Sequence, residues 1–180
     1  MASRRHRDPF LPPSLRRLGR RQGERPRIDP RFPCLQQEQT SPPELVRELI
    51  AAAASMPHVR PVHTRFLDCG IPGTALVLED EAAMGQPEAF IAGTAFAVVR
   101  PEGSVELRLK PEWAERALVR GWLTVHPLVR YMAGALPPQS TIAYAPRDAR
   151  ELRVVLRLID AARCYAEGRI GGMPLPDSRW

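Results

Sequence analysis

Residues 89–110 read AFIAGTAFAVVRPEGSVELRLK, and this stretch decides the fold. Its last part, 104–110 (SVELRLK), alternates Val105, Leu107 and Leu109 with Glu106, Arg108 and Lys110. That is the period-2 mark of a strand with one apolar face and one wet face. Pro101, Glu102 and Gly103 turn the chain back from the longer strand region 89–100, in which Gly93 predicts a bulge or bend. Strands joined by so short a link pair as antiparallel neighbours.

Working outward, 62–68 (VHTRFLD) and 74–79 (TALVLE) read as strands around Ile71-Pro72-Gly73, where Pro-Gly favours a type II turn. Before them, Ser41 and Glu44 have capping-box spacing, and Pro42 suits the first position of a helix. Leu45, Leu49, Ala52 and Met56 give that helix its apolar stripe, and Pro57 ends it. On the other side, Pro111 opens a helix over 111–120 that turns Trp113, Ala117 and Leu118 inward and stops at Gly121. Residues 121–139 read as a connection and 140–145 (STIAYA) as the last strand. Asp148 and Glu151 mark the start of a final helix, with Leu152, Val155, Leu156, Ile159 and Ala166 on one side and Gly168 at its end. The order α-β-β-β-β-α-β-α predicts an α+β domain over 41–169. Its sheet is mostly antiparallel, of about five strands, with helices packed chiefly on one face.

The charge is unevenly distributed. Residues 1–33 hold ten arginines against Asp8, Glu24 and Asp29, a local net of +7, whereas the rest of the chain is close to neutral. Pro9, Pro12, Pro13, Pro26, Pro30 and Pro33 interrupt any periodicity there. Residues 1–40 are therefore expected to be a disordered Arg/Pro-rich tail, and 170–180 a C-terminal tail. Such a basic arm predicts weak, sequence-independent nucleic-acid binding at low salt only. Cys34, Cys69 and Cys164 are odd in number and widely spaced, which argues against a disulfide framework or a zinc site and fits a reducing, cytoplasmic compartment. The sequence offers no apolar run of about 18 residues, so no membrane partner is expected.

No glycine-rich phosphate loop, Gly-x-Ser-x-Gly elbow or His-x-x-x-His helix occurs. His126, in 121–127 (GWLTVHP), is the one histidine placed to serve as ligand or proton shuttle. The segments 96–101 (FAVVRP), 103–107 (GSVEL), 121–127 and 145–155 (APRDARELRVV) together carry a pattern. From residue 90 onward the chain resembles the luciferase domain family, small and mostly uncharacterised bacterial proteins distinct from the flavin-dependent barrel luciferases. The resemblance implies a run Phe-Ala-His-Leu-His-Pro, a turn with Gly-Ser-Leu-His-Leu, then Gly-Trp-Ala-Glu-x-His-Pro. Its histidines fall here on Val98, Arg100 and Glu106, and its glutamates on Ala95 and Thr124. Only His126 remains of that polar set.

The histidine and carboxylate cluster implied for the family would suit a metal or acid–base pocket. In this chain the framework is kept and those groups are replaced, so no metal, no cofactor and no catalytic residue is expected. The leading expectation is a non-catalytic or degenerate module that binds a small anionic or polar ligand, or a protein partner. Its pocket would comprise Arg100, Glu106, His126, Tyr144 and Arg147. The rival expectations are an oxygenase-like enzyme using His126 with Tyr144 or Arg147, and a weak nucleic-acid binder acting through the tail.

Overall fold

The computed structural model describes residues 12–131, 136–137 and 139–169. Its strands are β1 (Val59–His63), β2 (Thr74–Leu78), β3 (Ala95–Val99), β4 (Val105–Arg108), β5 (Leu123–Val125) and β6 (Ser140–Ala143). They form one antiparallel sheet in the order β1-β2-β3-β4-β6-β5. The helices are α1 (Pro13–Arg16), α2 (Pro43–Ala54), α3 (Pro111–Val119), α4 (Pro127–Tyr131) and α5 (Ala149–Ala166).

The α+β class and the antiparallel sheet agree with the sequence, but the sheet has six strands where about five were expected. The extra strand, β5, lies with α4 inside the supposed connection 121–139. Three residues are too few to show alternation in a sequence. Two other strands are shifted. β1 ends at His63 and Thr64–Phe66 is a helical turn, so the expected strand over 62–68 starts and stops earlier. Pro61 sits within β1 because that strand is an edge, where a missing N–H is tolerated. Gly93, at φ +55°, turns the chain ahead of β3, while the bulge itself falls where β2 meets Ala95–Ala97.

One face of the sheet carries the helices. Leu76, Leu78, Phe96, Val99, Val105 and Leu107 share a continuous core with Leu49 of α2, Trp113 of α3, and Leu152, Val155, Leu158 and Ile159 of α5. α5 starts as the sequence predicts, with the Asp148 carboxylate accepting from Glu151 N–H at 2.8 Å. The capping box at Ser41 does not form. Pro42 caps α2, and Ser41 instead donates its hydroxyl to the Pro146 carbonyl and its N–H to Glu102 O. Gly103, at φ +95°, lets Ser41 lie against the β3–β4 turn, because any Cβ there would overlap the Ser41 side chain.

In the structure residues 12–40 lie against the domain; residues 1–11 and 170–180 lie outside the described residues. Leu15 and Leu18 are buried in the helix-face core. Trp122 Nε1 donates to Gly19 O at 2.7 Å, and Arg116 donates to the carbonyls of Leu15 and Arg16. The segment has little regular structure, in keeping with its prolines, but it is laid on the domain at every turn. Two buried leucines and a set of backbone hydrogen bonds replace the missing periodicity.

Leu15→Ala should therefore cost about 2–5 kcal/mol, the range for emptying a buried leucine site. Urea denaturation of the full chain measures it. A change under about 0.5 kcal/mol, typical of an exposed site, would mean that the segment does not pack.

Candidate functional site

The second face of the sheet is built by the same register. Val62, Ala75, Val98, Glu106, Ile142 and Thr124 are successive cross-strand partners, one from each strand. Ala95 and Val98 join Ile71, Ala75 and Val77 in a small apolar cluster at the β2–β3 end. Arg100, two residues past Val98, and His126, two past Thr124, return to this face beside Glu106. Ala95, Val98, Arg100, Glu106, Thr124 and His126, the positions matched to the polar set of the luciferase domain, thus share one side of the sheet.

This face was expected to be wet, and it is not. Arg100 is 0%, Glu106 1%, Arg108 2% and His126 2% exposed. Period-2 alternation marks a polar face but says nothing of what covers it. Here the cover comes from the N-terminal segment, whose Cys34 carbonyl accepts a hydrogen bond from Arg100 Nη1. Gln36 pins the same segment: its N–H donates to Glu102 Oε1 at 3.1 Å, and its Oε1 accepts from Ala145 N–H at 2.9 Å.

Glu106 lies at the centre of the cluster. Its Oε2 is 2.8 Å from Arg100 Nη2 and 3.3 Å from His126 Nε2, and its Oε1 is 3.6 Å from Arg108 Nη1. His126 Nδ1 accepts from Leu128 N–H at 3.3 Å, which places the ring hydrogen on Nε2, directed at Glu106. Arg100 Nη2, also 3.3 Å from that nitrogen, then shares the same carboxylate oxygen as a second donor. Burial alone would raise the Glu106 carboxyl, but the His126 hydrogen bond and the charges of Arg100 and Arg108 outweigh it and hold the group below its usual value. Burial pushes Arg108 the other way, below its usual value, with Glu106 opposing.

Arg108 is the least satisfied member. Its Nε and Nη1, and Nε of Arg100, are buried with no hydrogen-bond partner among the described residues. Arg108 can be read with Glu106 as a binding pair, but it stands outside the expected pocket because its strand face reads as solvated; Cys34 and Gln36 were missed because they lie in the supposed tail. The only available signal was that Glu106 and Arg108 continue a face that is apolar at Ala95 and Val98.

Of the five expected pocket residues, the structure brings Arg100, Glu106 and His126 together. Tyr144 is buried nearby, its ring 5.4 Å beneath the Arg21 guanidinium. It lines a cleft of about 260 Å³ with Thr124, Val125 and Pro127 on one side and Pro26, Ile28 and Pro30 on the other. Arg147 belongs elsewhere. It chelates Glu151 at the start of α5, with Nε at 3.0 and 3.1 Å from the two oxygens, and donates to Gln22 O and Gln39 Oε1. Among the described residues, no group of three or more His, Cys, Asp or Glu is placed to hold a metal ion, and no helix is long and apolar enough to cross a membrane.

Fold and site together define an antiparallel α+β domain with helices on one face of its sheet and a covered, ion-paired cluster on the other. The family model for the luciferase domain matches residues 93–162, from the turn before β3 into α5, so the resemblance read from the sequence holds over that stretch. No curated protein and no solved structure matches the chain.

Because its folded carboxyl is depressed, Glu106 contributes stability that is fully present above the ordinary glutamate range, near ~4.3, and is lost as pH falls through the folded value. Glu106→Gln should cost about 3–5 kcal/mol at neutral pH, since it leaves two buried guanidinium groups without their carboxylate. The deficit should shrink in acid. Urea titrations of both proteins from pH 7 to about pH 3 test this. Parallel stability curves would mean that Glu106 is not ionised in the fold.

Proposed function

We propose that the protein is a non-catalytic, luciferase-domain-like binding module, and that its ligand is a small anion bearing a carboxylate or phosphate. The observation that carries this reading is the sharing of one carboxylate, Glu106, by two buried guanidinium groups. A guanidinium cannot shed its charge, and burying it with unmet N–H groups costs free energy that an anion would recover.

The geometry favours binding over an oxygenase-like reaction. Both nitrogens of His126 are engaged within the fold, by Leu128 N–H and by Glu106. Tyr144 faces Arg21, and Arg147 is committed to Glu151. General acid–base chemistry needs a group within reach of a substrate proton, and His126 sits in a network apart from Tyr144 and Arg147, which are linked to each other through Arg21 and Glu151. Polyanion binding through the arginines is the secondary expectation, limited to low salt because such contacts depend on counterion release.

Thermal-shift measurements with inorganic phosphate and a set of small mono- and dicarboxylates test the proposal. At least one should raise Tm in proportion to log concentration, by an amount equivalent to about 2.7 kcal/mol at one hundred times Kd. Arg108→Met keeps the volume and removes the unmet charge. Glu106 keeps Arg100 and His126, so the variant should still fold, and the shift should be abolished. A shift that persists in Arg108→Met, or no shift with any of these anions, overturns the reading.

A further inference from the structure

We infer that residues 24–39 act as a hinged cover whose opening admits the anion to Arg100, an inference that rests on the binding reading above. The segments on either side are held by apolar burial: Leu15 and Leu18 before it, and Leu45, Val46 and Leu49 of α2 after it. Within 24–39 only Pro26, Cys34 and Gln36 are buried, and none belongs to either apolar cluster. The cover meets the sheet through hydrogen bonds instead, from Arg100 to Cys34 O, from Gln36 N–H to Glu102, and from Ala145 N–H to Gln36 Oε1. Polar contacts with little apolar burial mark a segment that opens locally, at far lower free energy than the core.

The cover is also braced within itself. Asp29 N–H donates to Leu35 O at 2.9 Å, Gln37 N–H to Arg27 O at 3.0 Å, and Cys34 N–H to Arg31 O at 2.7 Å. These bonds survive if the segment swings as a body, and Gly23, at φ +82°, provides a joint at its start. Closure and ligand compete for the Arg100 N–H that points to Cys34 O. The oxygen on Arg100 Nη1 is a neutral carbonyl, and an anionic oxygen in its place makes the stronger, charge-assisted bond. A ligand that binds only the open form has an apparent affinity lowered by the fraction of time the cover is shut.

Hydrogen exchange and phosphate binding on the full chain, with Gln36→Ala as comparison, test this. In the wild type, the Gln36 and Ala145 amides, bonded across the gap, should exchange at least about a hundredfold faster than those of Ala97 and Leu107 in the sheet. Asp29 and Gln37, bonded inside the cover, should exchange more slowly than Gln36. Gln36→Ala should speed exchange of the residue-36 amide, whose bond to Glu102 the variant keeps, about tenfold and tighten the apparent Kd for inorganic phosphate by the same factor. Ala145 as protected as Leu107 in the wild type would show that the cover does not open. Phosphate bound equally well by both proteins, with exchange at residue 36 raised, would overturn the gate and leave the anion site standing. Phosphate bound by neither would overturn the site, and the gate with it.

Discussion

A carboxylate taken out of water must be met by donors from within the fold, and the second face of this sheet is arranged around that requirement at Glu106. β4 lies between β3 and β6, so its side chain cannot reach solvent over an edge. Arg100 arrives because the 100–104 hairpin returns the chain next to β4, and His126 because β5 ends at that level. Arg108 follows two residues along the same strand. Once Arg100 has satisfied Glu106, its remaining amino group needs an acceptor, and the N-terminal segment supplies one from Cys34. The path of the chain around Cys34 is thus tied, through two hydrogen bonds, to one acid in the middle of the sheet.

The match to the luciferase domain acquires a physical meaning on this face. The family model spans β3 to β6, and the six positions that the sequence resemblance aligns with a polar pattern share this face. What differs is the kind of group. Imidazoles can gain, lose or share a proton, and they ligate metals. Arg100 does neither, and Val98 removes its partner. On the binding reading proposed above, a permanent cation and its counter-ion stand where the resemblance implies imidazoles. Fixed charge is suited to holding an ion.

The elements legible in the sequence were those long enough to repeat. α5 declares itself through five turns of apolar stripe and its Asp148 cap, and the β3–β4 hairpin through alternation about a Gly turn. β5 was illegible because three residues carry no period. The site was half legible. Arg100, Glu106 and His126 were found by register against a known pattern, but their burial was not, since polarity predicts water only where no other part of the chain competes for the surface. The N-terminal segment defeated the reading for a similar reason. Composition measures how much apolar surface a segment has on average, whereas Leu15 and Leu18 need only one place each in a core that already exists.

Arg147 was expected in a pocket and instead fastens a seam. Its guanidinium holds Gln22 O with one nitrogen and the Gln39 side chain with another, while Gln39 also reaches Glu24 O. The covering segment therefore leaves the domain and rejoins it at almost the same point, as an Ω-loop does. For a loop closed in this way, lengthening is thermodynamically mild: doubling its length adds only about 0.6 kcal/mol of closure entropy. Insertions between those two ends, away from Cys34 and Gln36, lengthen the loop without entering the sheet or the helices. The part of the chain that touches the site is thus the part most at liberty to vary, and relatives sharing this domain could differ in what they admit through this loop alone.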